Sequence, residues 1–352
     1  MSSIVHGYAA HSSDADLVPF SFERRDLRQD DVEIEILFCG VCHSDVHHVR
    51  NDWGGEEYPL VPGHEIIGKV IRVGENVTRF HVGNTVGVGC LVDSCRECSP
   101  CKHSHEQFCD NNTLTYSDKD RHDGTSTYGG YSEKIVVSER FVLNIPEGLD
   151  LAGTAPLLCA GITTYSPLRR WHAGPGKQVA VVGLGGLGHM ALKLAAAMGA
   201  EVTLISRSSG KEEDARKLGA KNVVISSDAS SMEEVAGKFD LIIDTVPYNH
   251  DLNPYVTTLA PQGALVLVGY LGPLDPTLNS APLVYRGKTV AGSLIGGLEE
   301  TQEMLDFCGR HGIVSDIETI DIQNINQAYE RLLKADVKYR FVIDIQSLKT
   351  SL

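Results

Sequence analysis

No apolar run in this 352-residue chain is long enough to cross a bilayer; the longest, such as Leu194–Met198, fall far short of ~20 residues. Positive charge is also short. Lys and Arg number 31 against 46 Asp and Glu, leaving a net charge of −15. Such a surface repels nucleic acid and anionic membranes, so neither is an expected partner. A leader pattern is missing too. Residues 1–20 carry His, Asp and Ser where a secretory signal has a positive start and an apolar block. A cytoplasmic location is therefore expected. There is no internal repeat and no low-complexity segment.

What is present is ordinary globular composition, 42% hydrophobic and 22% charged. The length suggests two domains, because single cores stop growing near ~250–300 residues. From Val32 to Val142 the apolar stretches are short and punctuated by Gly, Pro, Asn and Asp, as in Val32–Phe38, Glu65–Val73 and Lys134–Val137. That pattern suggests a mainly-β or barrel-like unit. A break at Pro146, Gly148 and Asp150 precedes a different texture. Buried strands are expected at Gln178–Val182, Glu201–Ser206, Asn222–Ile225, Leu241–Val246, Ala264–Val268 and Thr289–Leu294. Helices are expected at Gly188–Met198, before Gly199, and at Glu212–Leu218, before Gly219. Alternating strands and helices imply a parallel sheet covered on both faces. Helices at Glu299–Cys308 and Ile325–Leu333 and a strand at Arg340–Ile345 close the chain.

Between the first such strand and its helix stands Gly183-Leu184-Gly185-Gly186-Leu187-Gly188, a G-x-G-x-x-G turn in a strand–turn–helix–strand context. Gly183 permits the tight turn, Gly185 lets the backbone approach a pyrophosphate, and Gly188 lets the helix pack closely. The helix N-terminus then offers N–H donors and partial positive charge to phosphates. The end of the next strand reads Ser206-Arg207-Ser208-Ser209-Gly210-Lys211. It lacks the carboxylate that grips the ribose 2′-hydroxyl of NAD. Arg207 and Lys211 can instead pair with a 2′-phosphate, and Ser206 and Ser208 can hydrogen-bond it. NADP(H) is the expected cofactor, unless Arg207 and Lys211 are only solvated surface charges.

Nine cysteines are present, and in an apparently cytosolic chain of this size clusters read as metal ligands or catalytic thiols before disulfides. Cys95-x2-Cys98-x2-Cys101-x7-Cys109 can surround one tetrahedral ion. Four filled positions leave no room for substrate, so the zinc expected there is structural. An iron–sulfur cluster also accepts four cysteines. A second set is scattered: Cys42, in Gly40-Val41-Cys42-His43-Ser44-Asp45; His64, in Gly63-His64-Glu65; and Cys159, in Pro156-Leu157-Leu158-Cys159-Ala160-Gly161. Spacing alone does not link Cys159 to Cys42, and a lone cysteine on an apolar stretch is more often a core residue.

These motifs, together with Gly63–Gly68, Pro156–Thr163 and Gly292-Ser293-Leu294-Ile295-Gly296-Gly297, resemble the zinc-containing medium-chain dehydrogenase/reductase superfamily. Within it, the match is to the cinnamyl alcohol dehydrogenase-like branch, over essentially the whole chain. The resemblance implies an α/β protein in two parts. A GroES-like, mainly-β catalytic domain would span 1–158 and 297–352 and carry a structural zinc lobe at about 90–112. A Rossmann domain with a doubly wound parallel sheet would span 159–296. It implies a catalytic zinc held by Cys42, His64 and Cys159, with Glu65 able to approach the metal and Asp45 orienting His64. That makes two zinc ions per chain. Ser44 and His47 match a proton relay and His43 a cofactor contact, while Trp53, Leu114, Leu294 and Ile295 match a substrate wall. Trp53 could equally be a core aromatic.

The implied activity is NADP(H)-dependent oxidation of primary alcohols and reduction of aromatic or medium aliphatic aldehydes by a homodimer. The metal would act as a Lewis acid and the cofactor would carry the hydride. A polyol dehydrogenase would want NAD and a more polar pocket. A non-catalytic zinc- and nucleotide-binding relative would have lost a ligand. Cys39, Cys90 and Cys308 are expected to be small buried hydrophobes.

Overall fold

A computed structural model describes residues 3–350. The chain divides into two compact units. One runs up to Cys159 and resumes at Gly296; the other is Ala160–Ile295. The sequence boundaries lay one residue away at each crossing, which had assigned Cys159 to the nucleotide-binding domain. Cys159 ends a short 3-10 turn, Ala155–Leu158, and its thiol packs against Cys42, so it belongs with the first unit.

The first unit is built on a seven-stranded sheet in the order Ile317–Asp321, Arg340–Asp344, Asp31–Val41, Ile66–Val73, Thr85–Val88, Leu143–Asn144, with Lys134–Ser138 also pairing to Asp31–Val41. The strand near the C-terminus is stitched into the centre: Val342 lies opposite Gly40, antiparallel. Asp31–Val41 is buried except at the half-buried Glu35, Leu37 and Phe38, and its Val32, Ile34, Ile36 and Val41 join the core. Ile34, Ile36, Phe80, Tyr131, Phe141 and Phe341 fill the core beside it. A two-stranded ladder, Leu91–Asp93 with Thr113–Leu114, frames the four-cysteine segment.

The second unit holds six parallel strands in the order Asn222–Ile225, Glu201–Ser206, Gln178–Val182, Phe239–Asp244, Leu259–Leu267, Thr289–Gly292. Numbered along this unit the order is 3-2-1-4-5-6, the dinucleotide-binding arrangement, with its switch point beside Gln178–Val182. Ala180, Val182, Phe239, Ile242 and Leu265 form its core. The last strand departs from expectation. It ends at Gly292 and is not buried, because it is the sheet edge and has a neighbour on one side only.

Candidate functional site

The strand Asp31–Val41 delivers the chain to Cys42, which caps the helix His43–Val49 in an extended conformation. Asp45, three residues into the cap, accepts the Cys42 N–H at 2.8 Å. It has four donors. The same carboxylate accepts Gly63 N–H at 3.1 Å and the hydroxyl of Tyr131 at 3.3 Å, and it meets His64 Nδ1 at 3.0 Å. A completely buried carboxylate thus ties both metal-ligand segments together and places the proton on Nδ1, which leaves the Nε2 lone pair free. Burial opposes charge on His64, but Asp45 and the nearby thiols hold its pKa well above an ordinary imidazole, so an ion at Nε2 would take the place of a proton there.

Cys159 completes the group. Its Sγ stands 4.0 Å from Cys42 Sγ, and single donor atoms of Cys42, His64, Glu65 and Cys159 all lie within 4.8 Å of one another. Two zinc–thiolate bonds of ~2.3 Å at the tetrahedral angle separate sulfurs by about 3.8 Å, so the donor set fits that ion. The Cys159 thiol beside it holds Cys42 well below the usual thiol range, the thiolate state a ligand needs. Glu65 is fully buried. One oxygen takes the guanidinium of Arg340, whereas Oε2 has no hydrogen-bond partner. Burial pushes its carboxyl up to about 7, against the pull of Arg340. A Cβ added at Gly40 would collide with that same Oε2, so glycine there makes room for the carboxylate.

Cys95, Cys98, Cys101 and Cys109 also converge within 4.8 Å, with Cys95 and Cys101 sulfurs 3.9 Å apart. That spacing suits a single ion; a multi-iron cluster would hold its cysteines farther apart. Backbone N–H groups of Glu97 and Cys98 point at Cys95 and pull its pKa down to about 6.

In the second unit Gly183 and Gly188 meet the backbone demands expected of them. Gly183 has φ +88°, a Cβ on Gly185 would face open space, and one on Gly188 would strike the Gly183 carbonyl. The helix Gly186–Ala197 starts with Gly185 as its cap, followed by Leu187 in the first turn. Ser206, Arg207, Ser208 and Lys211 sit at and just past the end of the adjacent strand. Lys211 Nζ reaches back to the Leu184 carbonyl at 2.8 Å, and the exposed Arg207 guanidinium lies 5.9 Å from the Tyr248 ring.

Comparison with known proteins agrees with this geometry. Residues 28–147 match the alcohol dehydrogenase GroES-like domain and 186–310 the zinc-binding dehydrogenase domain. The chain is 53% identical to NADP-dependent alcohol dehydrogenase C 1 of Mycolicibacterium smegmatis, over 99% of this chain and 100% of that one. It is 50% identical to the aldehyde reductase YahK of Escherichia coli, over 98% and 99%. A cinnamyl alcohol dehydrogenase from Sorghum bicolor superposes with a TM-score of 0.94 at 47% identity, covering 98% of each chain. The chain belongs to the zinc-containing medium-chain dehydrogenases. Within that superfamily it falls in the cinnamyl alcohol dehydrogenase-like branch, and it is an oxidoreductase.

The remaining site residues of this dehydrogenase distribute unevenly. Ser44 and His47 lie one turn apart on the helix His43–Val49; Ser44 Oγ is 3.7 Å from Cys42 Sγ, and His47 Nδ1 meets Asp52 at 2.7 Å. His43 opens that helix half-buried, and burial lowers its pKa. Trp53 is no core residue: it is 46% exposed, with its ring against His47 and His48. Leu114 is half-buried and pairs across its ladder with Leu91. Leu294, largely exposed, and Ile295, at φ +35°, end the other unit.

Three residues escaped the sequence. Arg340 opens an apolar strand, a position where a charge is a signal of a buried partner. Cys90 is only half-buried, and its thiol lies beside Cys159, so it is not an inert core residue. Tyr116 packs its ring on both His64 and His48. Cys39 and Cys308 are fully buried, as small hydrophobes are.

Proposed function

We propose that this dehydrogenase reduces aromatic and medium aliphatic aldehydes, and oxidises the matching primary alcohols, with NADP(H). In this reading a catalytic zinc is held by Cys42, His64 and Cys159 with Glu65 as an exchangeable neighbour. A second, structural zinc is held by Cys95, Cys98, Cys101 and Cys109. One observation carries the reading: two thiols and a carboxylate-oriented imidazole converge from three distant segments, beside a serine hydroxyl. When bound, the metal supplies Lewis acidity toward a substrate oxygen and the nicotinamide supplies or takes the hydride.

The protein's own residues do the rest. Asp45 fixes the imidazole, and Arg340 holds Glu65 back through one oxygen while leaving the other unpartnered. Ser44 exchanges the substrate's hydroxyl proton, and His47, anchored on Asp52, passes it toward solvent. Trp53 and Leu114 offer apolar surface to the substrate's carbon skeleton. The backbone of Gly183–Gly188 cradles the pyrophosphate, and Ser206, Arg207, Ser208 and Lys211 receive the 2′-phosphate. Six ligand thiols suit a reducing compartment, the cytoplasm. The open edge strand Thr289–Gly292, with the exposed Val284 and Tyr285 nearby in sequence, suits pairing with a second copy in a homodimer. No helix among the described residues is long and apolar enough to cross a membrane.

The test is initial-rate NADPH oxidation with an aldehyde panel, run beside NADH and beside a zinc-chelated sample. Zinc-dependent turnover favouring NADPH is expected. Equal efficiency with NADH, or turnover confined to polyols and sugars, would overturn the reading. Ser44→Ala is expected to lower kcat about a hundredfold, the low end of general acid–base contributions, with zinc content unchanged. Unaltered turnover would remove Ser44 from the relay.

A further inference from the structure

The strand Phe239–Asp244 ends on a carboxylate that the proposed chemistry does not use. Asp244 is completely buried, at the C-terminal end of a central strand and beside the switch point of the sheet. Its Oδ1 accepts the Val246 N–H at 3.1 Å. Its Oδ2 has no hydrogen-bond partner but lies 2.9 Å from His250 Nε2, an ion-pair distance. Among the described residues no other cation comes that close to Asp244. The other ring nitrogen, Nδ1, stands 2.8 Å from the Tyr248 carbonyl, so it must donate there. A neutral imidazole has only one N–H. With that N–H given to Tyr248, Nε2 would turn a lone pair toward a buried carboxylate oxygen. Acceptors at both nitrogens demand the imidazolium, whose charge matches that of Asp244.

This pair pins residues 245–250 at both ends, and that segment touches both proposed cofactor segments. The Thr245 hydroxyl donates to the Val182 carbonyl at 2.7 Å, one residue before the glycine turn. A Cβ added to Gly183 would meet Thr245 Oγ1 at 3.1 Å and Val246 Cγ2 at 3.5 Å, and one on Gly188 would meet Thr245 Oγ1 at 3.3 Å. Farther along, the exposed Tyr248 ring lies 5.9 Å from the Arg207 guanidinium. The titratable and charged groups around His250 are Asp244 on the strand, Tyr248 and Asp251 on its own segment, and Tyr255, edge-on at 5.7 Å from the helix Asn253–Thr258. Arg207 stands beyond Tyr248. Asp244 raises the His250 pKa above the ordinary imidazole value, against burial, and the Tyr248 carbonyl adds to the rise.

We propose that His250 is a positioning residue for the cofactor: clamped as an imidazolium between Asp244 and the Tyr248 carbonyl, it holds residues 245–250 against the glycine turn and beside Arg207, so that NADP(H) affinity follows its protonation. The inference rests on the NADP(H) reading above and adds a dependence on pH that the reading does not contain. Below the ordinary imidazole pKa of ~6.5 the clamp is fully formed. As pH rises through the raised pKa of His250, the Nε2 proton leaves, Asp244 loses its counter-ion, and affinity falls.

The experiment is calorimetric titration of the zinc-loaded protein with NADP+ from about pH 6 to about pH 9, which spans imidazole titration, in wild type and in His250→Asn. Wild-type Kd is expected to rise about tenfold across that range, the low end for a hydrogen bond to a charged group. His250→Asn is expected to bind weakly throughout and to lose that rise; His250→Gln serves if the first variant does not fold. Lys211, whose pKa burial lowers, and the 2′-phosphate titrate in both proteins, so the difference between the two profiles reads His250 alone. Asp244→Asn is expected to move the midpoint to lower pH, because it removes the charge that retains the proton. In turnover the change falls on KM for NADPH rather than on kcat. The His250 ring resonance, identified by its loss in the variant, is expected to titrate at higher pH with NADP+ bound than without, as linkage requires. A merely structural histidine would weaken binding by the same factor at every pH. Profiles of equal slope in wild type and variant, or a ring that titrates alike with and without NADP+, overturn the assignment while the NADP(H) reading stands. If NADP+ does not bind but NAD+ does, the cofactor reading falls and the same titration with NAD+ decides His250. If neither binds, both fall.

Discussion

Replacing Cys159 by alanine is expected to release one of two zinc ions per chain and to lower aldehyde reduction on the order of a thousandfold. The thiol is one of three donors that converge from separate segments, and its removal leaves Cys42 and His64 unable to hold an ion firmly. The expected loss matches that of removing one pre-organised electrostatic stabiliser from an active site. The fold should survive. Cys159 is a small buried side chain, and deleting one sulfur costs roughly the 1 kcal/mol typical of point changes. Cys308→Ala is the control, since that thiol is also buried but packs on Met304. Metal analysis and NADPH oxidation on the same samples check the result. Two zinc ions retained in Cys159→Ala, with turnover within a few-fold of wild type, would sink the ligand assignment.

The second large effect concerns the cofactor. Arg207→Glu is expected to cut kcat/KM for NADPH about a hundredfold and to raise the relative use of NADH until the preference reverses. Hydrogen bonds to charged groups contribute about 1.5–3 kcal/mol, which is roughly ten- to a hundredfold, and the substitution adds repulsion to that loss. Glutamate also supplies the acceptor that a ribose 2′-hydroxyl wants at the end of this strand. The structure makes Arg207 available for the role: it is exposed, at the edge of the turn to which Lys211 is already tied through Leu184. Kinetics with both cofactors check it. If the NADPH-to-NADH ratio does not move, Arg207 is only a solvated charge, and Lys211 with the serines must carry any discrimination.

Legibility differed between the two units for a physical reason. The bounds of Gln178–Val182 and Glu201–Ser206 are legible to the residue, because central parallel strands buried on both faces are written as nearly unbroken apolar runs; those of Asn222–Ile225 are legible too, although it is the other, half-buried edge. The edge strand at Thr289 was misjudged as buried, since apolar composition does not reveal whether a strand has one neighbour or two. Ser44 and His47 could be placed on one helical face from their spacing, and the helix is there. His48 could not be separated from His43 and His47 by sequence. What separates them is tertiary: His47 meets the exposed Asp52, whereas His48 meets the largely buried side chain of Glu56, eight residues away and held by Ser117 from a different loop.

The sequence by itself determined the chemistry on offer: four cysteines at ligand spacing, a glycine turn between a strand and a helix, and a cationic, carboxylate-free end to the next strand. Such features lie within a few residues of one another, so backbone geometry alone brings them together. Only the tertiary structure decided which distant groups meet. Cys159 reaches Cys42 across 117 positions, and Arg340 reaches Glu65 across 275. The second pairing depends on a strand near the C-terminus being threaded beside Asp31–Val41, and no local pattern encodes that choice. It is set by the burial of the whole sheet, in which a charge such as Arg340 is tolerated only where a buried carboxylate waits for it.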